Sequence, residues 1–204
     1  MDTQKAEKLK IIKFSQQKFF SEGFHKTTID EIARQLAMSK NTIYKHFESK
    51  EQLVLAAIMD YTQTISTDVQ AIVDSGEDAV HKFFFLMHFL SGKLVFLGDK
   101  MIHDLQIHAP HIWIKIDDMR KRIMLVRIGK MILQGKREEL FLDYPTDLIT
   151  AIFISSVRSI LNPEFLINSK VSKEEAVTST FQILLRGILT PKGLQILKNL
   201  KTPQ

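Results

Sequence analysis

The 204 residues predict an all-α chain of two domains: a three-helix helix-turn-helix domain over residues 1–50, and a larger helical domain over 51–204, with a linker helix beginning near 50. Three observations carry this. Apolar residues recur at three- and four-residue spacing along most of the chain. Ser/Thr-x-x-Glu/Gln boxes, which satisfy orphan amides at helix starts, occur at Thr28/Glu31, Ser49/Gln52 and Ser172/Glu175. Strand-like alternation bounded by turn pairs is absent. Eight Gly and five Pro leave little room for long loops, and the length suffices for one small and one medium core. Zero Cys excludes disulfides and thiolate metal sites and is compatible with a reducing cytoplasm.

The N-terminus, Met1-Asp2-Thr3-Gln4-Lys5, leads into a charged helix with no apolar signal segment, so a cytoplasmic location is expected. The next helix starts at the Thr28 box and buries Ile29, Ile32, Ala33 and Leu36. Ser39 caps the following one. At about 100° per residue, Ile43 and Phe47 fall on one side and Asn41, Thr42 and Lys45 opposite, with Tyr44 and His46 on the flanks. A second helix that hides two apolar residues and shows polar ones has the character of a recognition helix entering the DNA major groove. Ser49-Lys50-Glu51-Gln52 opens the next helix and sets the Lys50 ammonium beside free amides, a place for a phosphate. Charge agrees: residues 1–50 hold ten Lys/Arg against six Asp/Glu, a net of +4, whereas residues 51–204 hold eighteen against seventeen, a net of +1. The basic excess sits with the DNA-facing helices.

Val54, Ile58, Tyr61, Ile65, Val69 and Ile72 mark one long linker helix ending near Ser75-Gly76. Phe83 to Leu90, running on to Leu97, is the most apolar stretch, but Ser91, Gly92 and Lys93 interrupt it. A membrane span needs about 20 apolar residues, so this reads as a buried core helix and no membrane partner is expected. Gly98 and Pro110 bracket a short helix, Asp99 to Ala109. A longer one follows with Ile112, Ile116, Met119, Ile123 and Val126 as its inward stripe and Asp117, Arg120, Lys121 and Arg127 mostly outside it. Two capped helices close the chain, Pro145 to Leu161 and Ser172 to Leu189. On the first of these, Ala151, Ser155 and Ser159 form a small-residue stripe bordered by Ile152, Val157 and Ile160.

The segment Ile11-Ile12 … Phe19-Phe20-Ser21-Glu22-Gly23-Phe24 … Thr27-Thr28-Ile29 … Ile32-Ala33 … Ser39-Lys40-Asn41-Thr42-Ile43-Tyr44-Lys45-His46-Phe47 … Ser49-Lys50-Glu51 resembles the DNA-binding domain of TetR/AcrR-type transcriptional repressors. The resemblance covers about fifty residues in register. It implies an all-α homodimer whose C-terminal domain binds an inducer, and DNA contacts from Thr28, Lys40, Asn41, Thr42, Tyr44, Lys45, His46 and Lys50. Phosphates would be met mainly by Thr28, Tyr44 and Lys50. One departure is visible: Ala37-Met38 stands where the family usually has Gly before the turn residue. A positive φ at Ala37 would carry strain of roughly 1 kcal/mol. Asn41 adds an amide able to bond a base edge bidentately, with adenine the geometric favourite.

A looser resemblance to the C-terminal domains of the same regulators runs through Asp104-Leu105-Gln106 … Ala109-Pro110 … Trp113. It suggests a pocket lined by Phe85, Phe89, Leu105, Trp113 and Ile116 with His88 as a polar group, suited to a hydrophobic or amphipathic small molecule. The family resemblance also places a dimer four-helix bundle at the last two helices, with Ala151, Ser155, Ser159, Phe181 and Leu185 in it. Half-sites about 34–36 Å apart call for two-fold symmetry, so the partners expected are a double-stranded operator, a second copy and an effector, with no cofactor.

Three other readings compete. His81, His103-Asp104 and Asp117 or Asp118 resemble the ligand set of all-helical metal-dependent phosphohydrolases, able to hold Mg²⁺, Mn²⁺ or Fe. His103, His108 and His111 form a candidate metal-sensor set, with Asp104 and His108 i, i+4 on one face. A purely architectural DNA binder would need only the basic N-terminal face, which leaves the large apolar C-terminal domain unexplained.

Overall fold

The computed structural model describes residues 2–94, 99–160, 165 and 168–200. Ten helices are bounded among them: α1 (Asp2–Glu22), α2 (Ile29–Gln35), α3 (Lys40–His46), α4 (Lys50–Val73), α5 (Ala79–Leu94), α6 (Asp99–His108), α7 (Pro110–Arg137), α8 (Thr146–Ile160), α9 (Lys173–Ile188) and α10 (Pro191–Asn199). Leu97, Gly98 and Leu161, which served as sequence boundaries, lie outside the described residues. The caps form as the sequence predicts. Thr28, Ser39, Ser49 and Ser172 accept from the amides of Glu31, Thr42, Gln52 and Glu175 at 3.0–3.2 Å, and Thr190 does the same for Gly193 ahead of Pro191. The Glu31 carboxylate does not return to its own box; it accepts from Lys18 of α1 at 2.7 Å instead.

The chain divides into two compact units, each discontinuous in sequence. The first joins residues 1–65 to 96–120, so α6 and the start of α7 cluster with the helix-turn-helix segment. Its core combines Ile11, Phe19, Ile32, Ile43 and Leu53 with Met101, Leu105, Ile112 and Ile116, all fully or almost fully buried. Lys18 bridges Glu22 of α1 and Glu31 of α2, and this pairing holds the Glu31 carboxyl below the ordinary carboxylate range.

The second unit takes residues 66–95 and 121–204, with α5 packed on α9 and α9 on α8. Phe83 of α5 meets Phe141 and Phe153 at 5.6 and 5.3 Å between ring centroids, and Phe153 meets Phe181 at 5.9 Å. The Phe83–Leu90 stretch is therefore core, and among the described residues no helix is long and apolar enough to cross a membrane. Lys82, 5% exposed, donates to the Val73 carbonyl at the end of α4 and to Gln134 of α7, both at 2.8 Å.

One predicted face is corrected. Val126, expected inward, is 61% exposed, while Arg127 turns onto α4, donating to Ser66 at 2.7 Å and Gln70 at 3.1 Å. Ten residues from Ile116 make about 1000°, or 80° short of three turns, so Val126 cannot share that stripe. The path from Ile116 through Arg120 and Arg127 to Met131 runs about 20–60° past whole turns, and Met131 on it is buried.

Candidate nucleic-acid interface

The turn between α2 and α3 is set by its backbone. Leu36 ends α2, Ala37 takes φ 53, and the Met38 amide returns to the Ala33 carbonyl at 2.9 Å. Ser39 then starts α3, with Ile43 fully buried and Phe47 4% exposed beneath it. On the outer side Lys40, Asn41, Tyr44 and Lys45 are exposed, and Thr42 is half-buried with its hydroxyl 2.8 Å from that of Ser39. Thr28 is exposed at the start of α2, its hydroxyl occupied by the Glu31 amide. Lys40 pairs with Asp30 at 2.8 Å, which raises its pKa above the ordinary lysine value. Lys45 has no protein partner among the described residues.

Two predicted contact residues are placed differently from the rest. His46 turns inward: its side chain is 4% exposed and lies 2.6 Å from the Glu7 carboxylate of α1. Lys50 folds back onto the α1–α2 loop, donating to the His25 carbonyl at 3.2 Å with its ammonium 4.4 Å from the Phe24 ring centre. Burial lowers the Lys50 pKa, and Asp104 opposes that shift. Asp104 of α6 is itself a feature that sequence reasoning assigned elsewhere. Its carboxylate accepts the His25 amide at 2.9 Å, and the His25 and His108 rings stack at 4.1 Å. Gly23, at φ 93, is required there: a Cβ would stand 2.4 Å from that same carboxylate.

The comparisons bear directly on this segment. Residues 11–57, from α1 into α4, match the family described as "Bacterial regulatory proteins, tetR family". YvaF of Bacillus subtilis (strain 168), an uncharacterised HTH-type transcriptional regulator, is 22% identical over 184 residues, covering 90% of this chain and 92% of that one. Over residues 11–57 the chain is therefore similar to the DNA-binding segment of TetR-type regulators. A transcriptional regulator from Cytophaga hutchinsonii has the same fold, with a TM-score of 0.77 at 19% identity over 89% of this chain and 98% of the other. So does one from Saccharomonospora viridis solved in complex with choline, with a TM-score of 0.71 at 18% identity over 90% and 97%.

The relatives and solved structures that match are transcriptional regulators. The phosphohydrolase residues do not assemble. His81 sits in the second unit 2.7 Å from Asp78, Asp104 serves His25 in the first, and His111 lies 3.1 Å from Glu51. Among the described residues no three His, Asp or Glu side chains gather as metal ligands, which also leaves His103, His108 and His111 apart.

The residues predicted to line one effector pocket fall in two units. Phe85, His88 and Phe89 lie on α5 in the second, Phe85 partly exposed and His88 with a sealed Nε2 that has no hydrogen-bond partner. Leu105 and Ile116 are 2% exposed in the core of the first, with Trp113 half-buried against it. A shallow groove bordered by Val73, Asp74, Lys130 and Gln134 contains none of the predicted residues. Of the residues expected at a dimer interface, Ala151, Ser155 and Ser159 are exposed on α8, next to Leu148 and Ile152. Phe181 and Leu185 are not on that surface. They are 1% and 4% exposed inside the protomer, because Phe153 and α5 take their side of α9, and Ile183 at 70% is the apolar residue α9 presents outward.

Proposed function

We propose that this protein is a TetR/AcrR-type, ligand-responsive repressor that acts from the cytoplasm as a homodimer on a pseudo-palindromic operator. The observation that carries the DNA assignment is the two-sided build of α3, where Ile43 is sealed in the core and Asn41, Tyr44 and Lys45 stand exposed on the other side. Base edges fall to Asn41 and Lys45, with Lys40 and Thr42 beside them, and phosphates to Thr28 and Tyr44. Lys50 and His46 act one step back: the first ties down the loop that leads to α2, the second ties α3 to α1.

A dimer through α8 and α9 is supported by the apolar residues these helices leave exposed, Leu148, Ala151 and Ile152 on α8 and Ile183 on α9, which a matching face on a second copy would bury. Effector binding is supported by the His88 nitrogen, a buried polar atom with no partner on an otherwise Phe-rich helix. The effector relieves repression by favouring a dimer whose recognition helices no longer match successive grooves, which takes a differential affinity of a few kcal/mol. Selection of bound duplexes from a random pool tests the core of this reading. A two-fold related consensus is expected, and a protein that retains no duplex at low ionic strength refutes it.

A further inference from the structure

Residues 121–137 of α7 hold six Lys/Arg and no Asp/Glu, whereas the rest of the second unit, 66–95 and 138–204, holds nine against eleven. Two of the six cations are engaged within the protomer, Arg127 by Ser66 and Gln70, and Lys136 by Asp143 at 2.9 Å. Lys121, Arg122, Lys130 and Arg137 are exposed and have no hydrogen bond or ion pair among the described residues. Like charges along one helix repel one another, and an acidic counterpart relieves that repulsion.

The same side of the helix is apolar between the cations. At about 100° per residue, Arg122, Val126, Gly129, Leu133 and Arg137 fall within about 80° of one another, a seam about 22 Å long. Val126 is 61% exposed and Leu133 47%. Gly129 lies between them and has no side chain to hold an approaching backbone off. Beside the seam, a groove of about 240 Å³ opens between the end of α4 and α7. Val73 and Met131, both buried, form its floor, and Lys130, Leu133 and Arg137 stand at its rim. Its one carboxylate, Asp74, already accepts from Gln70 at 2.7 Å. Glu138, next after α7, is taken up by the Ala79 amide and Gln134.

We infer that this face of α7 is a docking surface for an acidic amphipathic helix of a partner protein. Apolar side chains of that helix cover Val126 and Leu133 and enter the groove, and its carboxylates meet Arg122, Lys130 and Arg137. Charge selects this occupant. A second copy offering the same face would set cations against cations in either orientation. A duplex would lay phosphates along Val126 and Leu133, where hydrocarbon replaces their water. A bilayer surface is too broad to follow the groove to its floor, which a single helix can do. The inference stands apart from the DNA and effector assignments above.

The test uses the full-length protein and a fluorescent helical peptide of about 18 residues, enough to span the seam, with Leu at three- and four-residue spacing and Glu on the flanks. An analogue with Gln in place of every Glu is the uncharged probe. The wild type should bind the acidic peptide at least about tenfold tighter than the analogue, and added salt should narrow that gap. Arg122→Glu combined with Arg137→Glu should remove the preference, and Leu133→Asp should weaken the acidic peptide about tenfold or more, with helical content unchanged because these side chains are exposed. Lys170→Glu combined with Lys198→Glu makes the same change in net charge at exposed positions elsewhere and should alter affinity by less than about twofold. The inference is overturned if the analogue binds as tightly, if either variant of the face behaves as wild type, or if the Lys170 and Lys198 pair loses as much as the Arg122 and Arg137 pair. Displacement of the peptide by a selected duplex would assign it to the DNA-binding face and overturn the inference too. So would face-dependent retention on vesicles of equimolar phosphatidylcholine and phosphatidylglycerol with the peptide unbound, which would make the surface a lipid contact.

Discussion

Ala37 holds φ 53 in the turn that aims α3, a conformation that glycine adopts without strain and alanine does not. Ala37→Gly should therefore stabilise the protein by about 1 kcal/mol, read as a rise of a few degrees in melting temperature, with base preference unchanged. On α3 the roles separate by chemistry. Asn41→Ala should cost about 1–3 kcal/mol at one base position and relax preference there. Lys45→Ala should lower the slope of log affinity against log salt by about one while leaving the sequence ranking intact. Lys50→Ala should weaken all duplexes alike, because what it loses is the hold on the His25 carbonyl; a loss confined to one base position would refute its role. Asn41 and Lys45 were legible from helical phase alone. The inward turn of His46 was not, because the partner that draws it in, Glu7, lies 39 residues away in sequence.

At the scale of elements, α6 and the α1–α2 loop meet where Gly23 leaves room for the Asp104 carboxylate. Gly23→Ala combines an unfavourable φ with a collision against that carboxylate and should destabilise the fold by about 1–3 kcal/mol in denaturant titration. Asp104→Ala should leave the helices intact but speed hydrogen exchange at the His25 amide, and unchanged exchange would show that the bond is not held in solution. Helix starts were readable because a cap is a contact over three residues. The inward face of α7 was misread at Val126, since charge type suggested that arginines face water and only the packed arrangement shows Arg127 satisfied on α4.

For the molecule as a whole, assembly turns on the exposed apolar residues of α8 and α9. Ile152→Asp combined with Ile183→Asp should give a monomer in sedimentation and abolish tight operator binding, while each protomer keeps its helical content; a dimer that persists would place the interface elsewhere. Phe181→Ala should act differently, unfolding the second unit through loss of a buried ring at a cost of about 3–5 kcal/mol.

The class of fold, the helix starts and the exposed side of α3 were written into the chain, because capping, periodicity and local charge act between residues no more than a turn or two apart. Which side chains meet across the fold was not: Asp104 on the His25 amide and Phe181 within the core both depend on elements distant in sequence, whose mutual placement follows from packing apolar surface and not from any local pattern.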